Sequence, residues 1–448
     1  MAAAALVLLL AGDYRHALSG FPLTIRWTHA TFGALAIAAI RHAARPVPSL
    51  FSRLEHVAQW LARHPAFSHA LLVFALTRPT VLLVGLLGVA TIGFPEGVDE
   101  PGIGRRALSA LPARFDANWY AGIAAEGYDW QATFKRQQNV AFFPAYPMLV
   151  RAVAPLSGAG DPDLPRERRI LRLAWCGLVI SLASFLCAAW LFGRLAGDVL
   201  GAERGRDAVV LLASYPFAVF YSAAYTESLF LLVSLGAWYA MRREQLATAA
   251  VCGALAGLTR PNGFLLAVPL LLTAVGVRGA DGDRAPAARR AMRLAAAAMP
   301  VAGMLLFTFY LFQRTGVWFA WARMHGAWGR VFTGDAPLPS LSAGLLQVAT
   351  ARPYDLLNAL GVVFALGLIW PVWRRLGPAW AAFVIANLVP PLLAGGVLSL
   401  GRVSSTLFPL FLALAAIVPS RVVPLAAATF GILQGLVAVL FYTWRSLY

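Results

Sequence analysis

Apolar runs as long as a bilayer is thick recur along this chain. Leu71 to Phe94 (interrupted by Arg78), Leu171 to Phe192, Leu294 to Phe312, Leu357 to Val372 and Pro424 to Tyr442 each reach or approach the roughly 17–25 residues that a spanning helix requires. Inside hydrocarbon every backbone N–H and C=O must be paired within the protein, so a run of this kind is helical. The alternating pattern of a membrane barrel is absent. The fold class expected is all-α, a polytopic transmembrane helical bundle. Composition agrees: 60% of the residues are hydrophobic and 13% charged, against about 25% charged in an average soluble domain. The net charge is +17. In a soluble protein that excess would point to nucleic acid. Here pairs such as Arg242 and Arg243, Arg289 and Arg290, and Arg374 and Arg375 stand between apolar runs, as cytoplasmic loops do. No nucleic-acid partner is expected; membrane lipids are. Cys176, Cys187 and Cys252 lie in apolar stretches without CxxC spacing and read as small packing residues.

Two regions differ in character. Residues 1–69 form an N-terminal extension with six of the seven histidines and two short apolar runs, Ala2 to Ala11 and Ala30 to Ile40. It reads as a weak helical hairpin or interfacial helices, followed by a basic cytoplasmic stretch from Arg41 to Arg63. Met1 opens directly on an apolar run with no basic n-region, so a standard signal peptide is not expected. Residues 70–448 form the transmembrane body. Its first outer loop, 95–169, is long, and its aromatic clusters argue against disorder. Val209 to Tyr239 is too long for one span and reads as two, and two short spans flank Thr259 to Gly263. A second Trp-rich loop covers 313–352, and four more spans finish the chain. If Arg41 to Arg63 is cytoplasmic, alternation puts the short basic loops on that side and both aromatic loops outside. No internal repeat is visible, which weighs against an inverted-repeat transporter.

Few residues carry chemistry. Phe115, Trp119 and Ile123 recur every four residues, the pattern of an amphipathic helix lying on the membrane, with Asp116 and Tyr120 on a neighbouring face. Asp116 is either the cap of that helix or an acid held against the apolar boundary. In Asn139 to Pro147, Pro144 and Pro147 each follow an aromatic residue and interrupt regular helix. These aromatics form a membrane belt or a wall for a sugar or a prenyl chain. Glu227 is a carboxylate enclosed by a long apolar run: a functional acid or a structural partner for an arginine such as Arg260. Arg260 and Arg402 are single cations at the ends of apolar runs, either snorkelling anchors or forks for phosphate. No HExxH, EF-hand, Walker or GxSxG motif occurs, and His325 is the only histidine beyond residue 69. The expectation is activity without a metal or other cofactor.

Several of these segments resemble one family in the same order. Phe115-Asp-Ala-Asn-Trp-Tyr120 with Ile123 to Tyr128 is similar to the first outer loop of the glycosylphosphatidylinositol mannosyltransferase family of PIG-V type and its bacterial relatives. Asn139 to Pro147, Ser222 to Ser228, Thr259 to Gly263, Ala327 to Arg330, and Ser399 to Arg402 with Phe408-Pro409 resemble its later motifs. Phe115 stands where the family commonly has Trp, and His325 where relatives often carry Gln.

The resemblance implies a GT-C type bundle whose long outer loops carry amphipathic helices. It also implies a polyprenyl-phosphate sugar donor, usually of mannose, and a site on the non-cytoplasmic face of a bacterial inner membrane. The catalytic base then falls on Asp116, and Arg402 and Arg260 are the donor-phosphate candidates. Glu227, Tyr225, Tyr120, Asn139, Tyr146, His325 and Trp328 are read as acceptor contacts or as groups behind them. The reaction implied is hexose transfer to a lipid-linked or other acceptor hydroxyl, with inversion, since one base suffices. A multi-pass transporter or lipid flippase is the alternative; it accounts for the spans and Glu227 but not for the outer-loop motifs.

Overall fold

The computed structural model describes residues 14–18, 21–25, 33, 36, 50–96, 109–161, 163–276, 287–330 and 355–445. The long apolar runs form the helices expected of them. Among the described residues five are long and apolar enough to cross a membrane: α2 (Pro65–Thr91), α5 (Arg166–Leu200), α10 (Ala287–Thr315), α12 (Leu356–Leu376) and the span Ser420–Tyr442, most of which is α16 (Val423–Tyr442). Shorter apolar helices fill the bundle: α8 (Leu246–Thr259), α9 (Ala267–Gly276), α13 (Pro378–Gly395) and α15 (Phe408–Ile417).

Val209 to Tyr239 does divide. It forms the end of α6 (Ala202–Ser214), a 3-10 stretch Pro216–Ser222, and, beyond a 97° bend, α7 (Glu227–Arg242). A break inside an apolar bundle strands backbone carbonyls. Arg78, the one charge within α2, answers that need. It donates from Nη2 to the carbonyl of Ala213 at 2.6 Å and from Nη1 to that of Ala218 at 2.5 Å. Gln434 Nε2 adds bonds to the carbonyls of Ala213 and Tyr215 at 3.0 and 2.8 Å. Arg78 is thus a fully enclosed clamp. Its replacement by Met should lower stability by about 3–6 kcal/mol, from two charge-assisted bonds at ~1.5–3 kcal/mol each. Thermal unfolding in detergent would reveal this as a large drop in midpoint, and an unchanged midpoint would show that the broken span holds itself.

Close helix contact elsewhere rests on small residues. Gly253 and Gly257 of α8 face Pro300 of α10; a Cβ at Gly257 would lie 2.0 Å from the Pro300 carbonyl oxygen. This is the small-xxx-small contact of membrane helices.

The bundle has two polar ends. At one, Arg243 pairs with Asp198 at 2.7 Å, and Arg293 and Arg289 pair with Glu244. At the other lie α3 (Ala117–Glu126), α4 (Ala145–Val153), α11 (Ala320–Met324) and α14 (Leu400–Ser405). The sixteen residues of α7, about 24 Å at 1.5 Å per residue, run from one end to the other.

The N-terminal extension contains a β-hairpin, Tyr14–Leu18 paired antiparallel with Phe21–Ile25. Phe21, Leu23 and Ile25 alternate with Pro22 and Thr24, a period of two. The short apolar runs expected to be helical, Ala2 to Ala11 and Ala30 to Ile40, lie outside the described residues except at Gly33 and Ala36. Farther on, the end of the basic stretch forms α1 (Leu50–Arg63). One expectation needs correction, in α3: Ile123, in the stripe expected to face the membrane, is fully buried and packs inward with Tyr120, Ala121 and Ala124. α4 is two-faced, burying Tyr146 and Val150 and exposing Met148 and Leu149.

Candidate active site

Asp116 occupies the cap position of α3, but its side chain makes no capping bond. Its Oδ2 instead accepts from Arg402 Nη1 at 2.7 Å. The same guanidinium donates from Nε to Glu227 Oε1, and Arg260 Nη1 donates to that oxygen as well. Asp116, Arg402, Glu227 and Arg260 therefore form one continuous ionic chain. The pairs join residues 286, 175 and 33 positions apart.

The four do not stand equally open. The side chain of Asp116 is 21% exposed and that of Glu227 0%, so only Asp116 can meet a substrate without rearrangement. Among the described residues Glu227 Oε2 has no hydrogen-bond partner. Arg260 is buried on Glu227. That is the structural partnership considered for Glu227; the pair uses Arg260 Nη1, and the Arg260 side chain is 9% exposed, close to the 11% of Arg402. Arg402 uses Nε and Nη1 on the two carboxylates, which leaves Nη2 for a further acceptor.

Tyr225 holds the centre in two ways. Its hydroxyl accepts from the backbone N–H of Asp116 at 3.0 Å, and its ring lies 4.7 Å below the Arg402 guanidinium. Tyr120 packs against Tyr225 and Tyr146, with centroids 6.2 and 5.3 Å away. Burial pushes its phenol up to about 12 against the pull of Arg402, so Tyr120 stays protonated and is no rival base. Tyr146 is enclosed and bonded to Ser181 at 3.0 Å. Asn139 staples the outer loop, donating to the Gly127 carbonyl at 3.0 Å and accepting from the Asp129 N–H at 3.1 Å. Both side chains thus bond within the protein framework around the ionic chain.

The two outer loops meet in an aromatic wall. Trp119, one turn after Asp116, stacks on Phe142 at 5.6 Å, and Trp328 meets both rings edge-on at 6.0 and 5.7 Å. Burial, with Arg330 adding to it, pulls the His325 imidazole down to about 3. His325 is therefore neutral and supplies no charge for a phosphate. Tyr128 donates its hydroxyl to the Phe142 carbonyl at 2.8 Å, and so joins the wall to an apolar groove of about 880 Å³ between α4, α7, α8 and α10. Leu229 and Val233 line this groove. At 100° per residue they lie roughly 200° and 240° around α7 from Glu227, so α7 separates the groove from the ionic chain. Among the described residues no cluster of three or more His, Cys, Asp or Glu has the arrangement of a metal site.

Residue-level reading of the sequence missed Arg330, although its motif was noticed. Arg330 Nη2 donates to the carbonyl of Leu398 at 2.6 Å, just before α14. Another signal lies in the backbone, where no sequence shows it. Phe115, Phe319 and Ser399 adopt left-handed φ of 46°, 54° and 56°. Each stands just before the segment that carries Asp116, His325 to Arg330, or Arg402. Strain of about 1–3 kcal/mol per residue persists where surrounding structure enforces it, and it gathers at functional sites.

Fold and site together define a multi-pass membrane protein with a polar centre at one end of the bundle. A family model for mannosyltransferase (PIG-V) matches residues 94–331, more than half of the chain. The chain therefore belongs to the PIG-V mannosyltransferase family. Among solved structures it is similar to the Archaeoglobus fulgidus oligosaccharyltransferase. The complex with zinc and sulfate is 14% identical with a TM-score of 0.40, covering 82% of this chain and 53% of that one. The apo form is 13% identical with a TM-score of 0.40, covering 81% and 56%. The chain thus spans about half the length of those proteins. No curated protein matches it significantly in sequence.

Proposed function

We propose that this protein, as a GT-C type enzyme, transfers mannose from a polyprenyl-phosphate donor to a hydroxyl of a lipid-linked acceptor. The transfer takes place on the non-cytoplasmic face and inverts the anomeric centre. The observation that carries this reading is the state of Asp116: a carboxylate at the head of α3, not engaged in capping, aimed by Arg402 and partly open beside an aromatic wall. As general base it takes the proton of the acceptor hydroxyl. The hydroxyl oxygen bonds to the anomeric carbon, the bond from that carbon to the phosphate oxygen breaks, and polyprenyl monophosphate leaves. Glu227 is enclosed and held by two arginines, so it is no nucleophile for a double displacement of the retaining kind. The aromatic wall positions the sugars, and the groove offers room for the hydrocarbon chain of a lipid substrate.

Purified enzyme in liposomes, given mannosyl-phosphoryl polyprenol of known anomeric configuration, should yield a product of opposite configuration by NMR. Retention would overturn the mechanism, and transfer from a nucleotide sugar alone would overturn the donor. For sidedness, an impermeant thiol reagent applied to intact cells should modify an Asn118→Cys variant and miss an Arg375→Cys variant. Reversed labelling would place the site on the cytoplasmic face.

A further inference from the structure

The helix that precedes the bundle, α1, is two-faced. At 100° per residue, Leu50, Phe51, Leu54, Val57, Ala58 and Leu61 fall within about 120° of arc, and Ser52, Arg53, Glu55, His56, Gln59 and Arg63 take the opposite side. In a soluble fold the apolar arc would turn into the core. Here Val57 is 54% exposed, and Ala58 is exposed as well.

The break after α1 is written in the sequence. A continuing helix would bond the N–H of residue 65 to the Leu61 carbonyl, but Pro65 has no N–H to give. That carbonyl accepts instead from the His64 N–H at 3.1 Å and from the Ser68 hydroxyl. His64, at φ −124° and ψ 64°, is the single residue between α1 and α2, so α1 leaves the spanning direction where α2 begins. This is the end of the bundle away from the ionic chain. Phe67 meets Trp190 of α5 edge-on at 6.2 Å, and the Arg194 guanidinium lies over the rings of Trp190 and Tyr239 at 5.8 and 5.4 Å, near the Arg243–Asp198 pair. Trp60, 47% exposed, stacks on His64 at 4.4 Å and meets Phe67 edge-on at 5.3 Å. Exposed Trp in a membrane protein gathers at the boundary between headgroups and acyl chains. The charge has one sign: from Arg41 to Arg63 there are four arginines, Arg41, Arg45, Arg53 and Arg63, against one acid, Glu55.

We infer that α1 lies along the bilayer surface at this end, with its apolar arc among the acyl chains and its arginines on anionic phospholipid headgroups. Three features select this occupant: direct continuity with a spanning helix, Trp60 at the edge of the arc, and charge complementary to phosphate. A basic two-faced helix binds a bilayer by burying its apolar side and attracting anionic lipid with its polar one. The protein thereby reads lipid charge at the end opposite Asp116.

The test places a spin label on Val57→Cys or Gln59→Cys in the full-length protein, with Cys176, Cys187 and Cys252 replaced by Ala, in nanodiscs of phosphatidylcholine with or without phosphatidylglycerol. Oxygen, which concentrates among acyl chains, and an aqueous nickel chelate report the surroundings. In mixed nanodiscs the label at 57 should meet oxygen more than nickel, and the label at 59 the reverse; Ala58→Cys repeats the first reading on the same arc. A label at 57 that lies in water would overturn the inference. So would one shielded from both reagents, whether by residues 30–40 with their apolar run or by a second copy. Without phosphatidylglycerol, nickel access at 57 should rise, and no change would overturn the role of anionic lipid. Arg53→Gln and Arg63→Gln should each lower the docked-to-lifted ratio about fivefold in mixed nanodiscs, and an unchanged ratio in the double variant would overturn the part assigned to the arginines.

Discussion

The Asp116→Asn protein is expected to fold, to bind donor, and to transfer sugar at least about a hundredfold more slowly than wild type, since loss of a general base typically costs 10²–10⁴-fold. Asn retains an oxygen that accepts from Arg402 Nη1 and fits the same cap position. The side chain is partly exposed, so the change in stability should be small. Donor binding should not weaken, because the substitution removes a negative charge from beside the phosphate site. The effect should therefore fall on kcat and spare KM for the donor. A capping role predicts the opposite, normal turnover, since Asn caps as well as Asp. Turnover, donor binding and thermal midpoint measured on one preparation separate the two. Normal turnover would remove Asp116 from the chemistry, and a collapsed midpoint would show that its pairing with Arg402 is structural.

Spanning helices were legible because hydrophobicity and length alone specify them. α2, α5, α10, α12 and α16 each overlap a run picked out by those criteria. What was not legible depends on partners far away in sequence. Phe115, Trp119 and Ile123 have the spacing of a surface helix, yet Ile123 packs inward against elements that the residues of α3 cannot announce. Asp116 and Arg402 are 286 residues apart, and no local pattern states that an arginine after one apolar run will aim an acid before another. The family motifs brought these residues together where spacing could not. Even so, motif membership does not state contacts: Asn139 bonds to the Gly127 carbonyl, Tyr146 to Ser181 and Arg330 to the Leu398 carbonyl. Arg260 shows the same limit. A lone arginine at the end of an apolar run does not announce that its partner is a carboxylate 33 residues earlier.

That partner sets the other large effect. Glu227→Gln removes a carboxylate buried against two arginines. Breaking a buried pair from one side costs about 3–5 kcal/mol, because the remaining charge stays enclosed without compensation. Two arginines lose their shared anchor here, and the cluster loses one negative charge. Arg402 then holds Asp116 from one carboxylate instead of between two, so turnover should fall together with stability. If Glu227 acts as a counter-ion, the damage is electrostatic and a second substitution can relieve it. The double variant Glu227→Gln with Arg260→Gln restores the original charge balance and replaces an ion pair by two amides able to bond each other. It should recover more than half of the stability lost in the single variant, an interaction of the kind that a double-mutant cycle isolates. Arg402 keeps its bond to Asp116 in both variants, so activity should recover alongside stability. If Glu227 contacts the acceptor directly, the double variant should regain stability and remain inactive. Thermal unfolding and turnover on the wild type, both single variants and the double variant would distinguish a carboxylate that positions Arg402 from one that touches substrate.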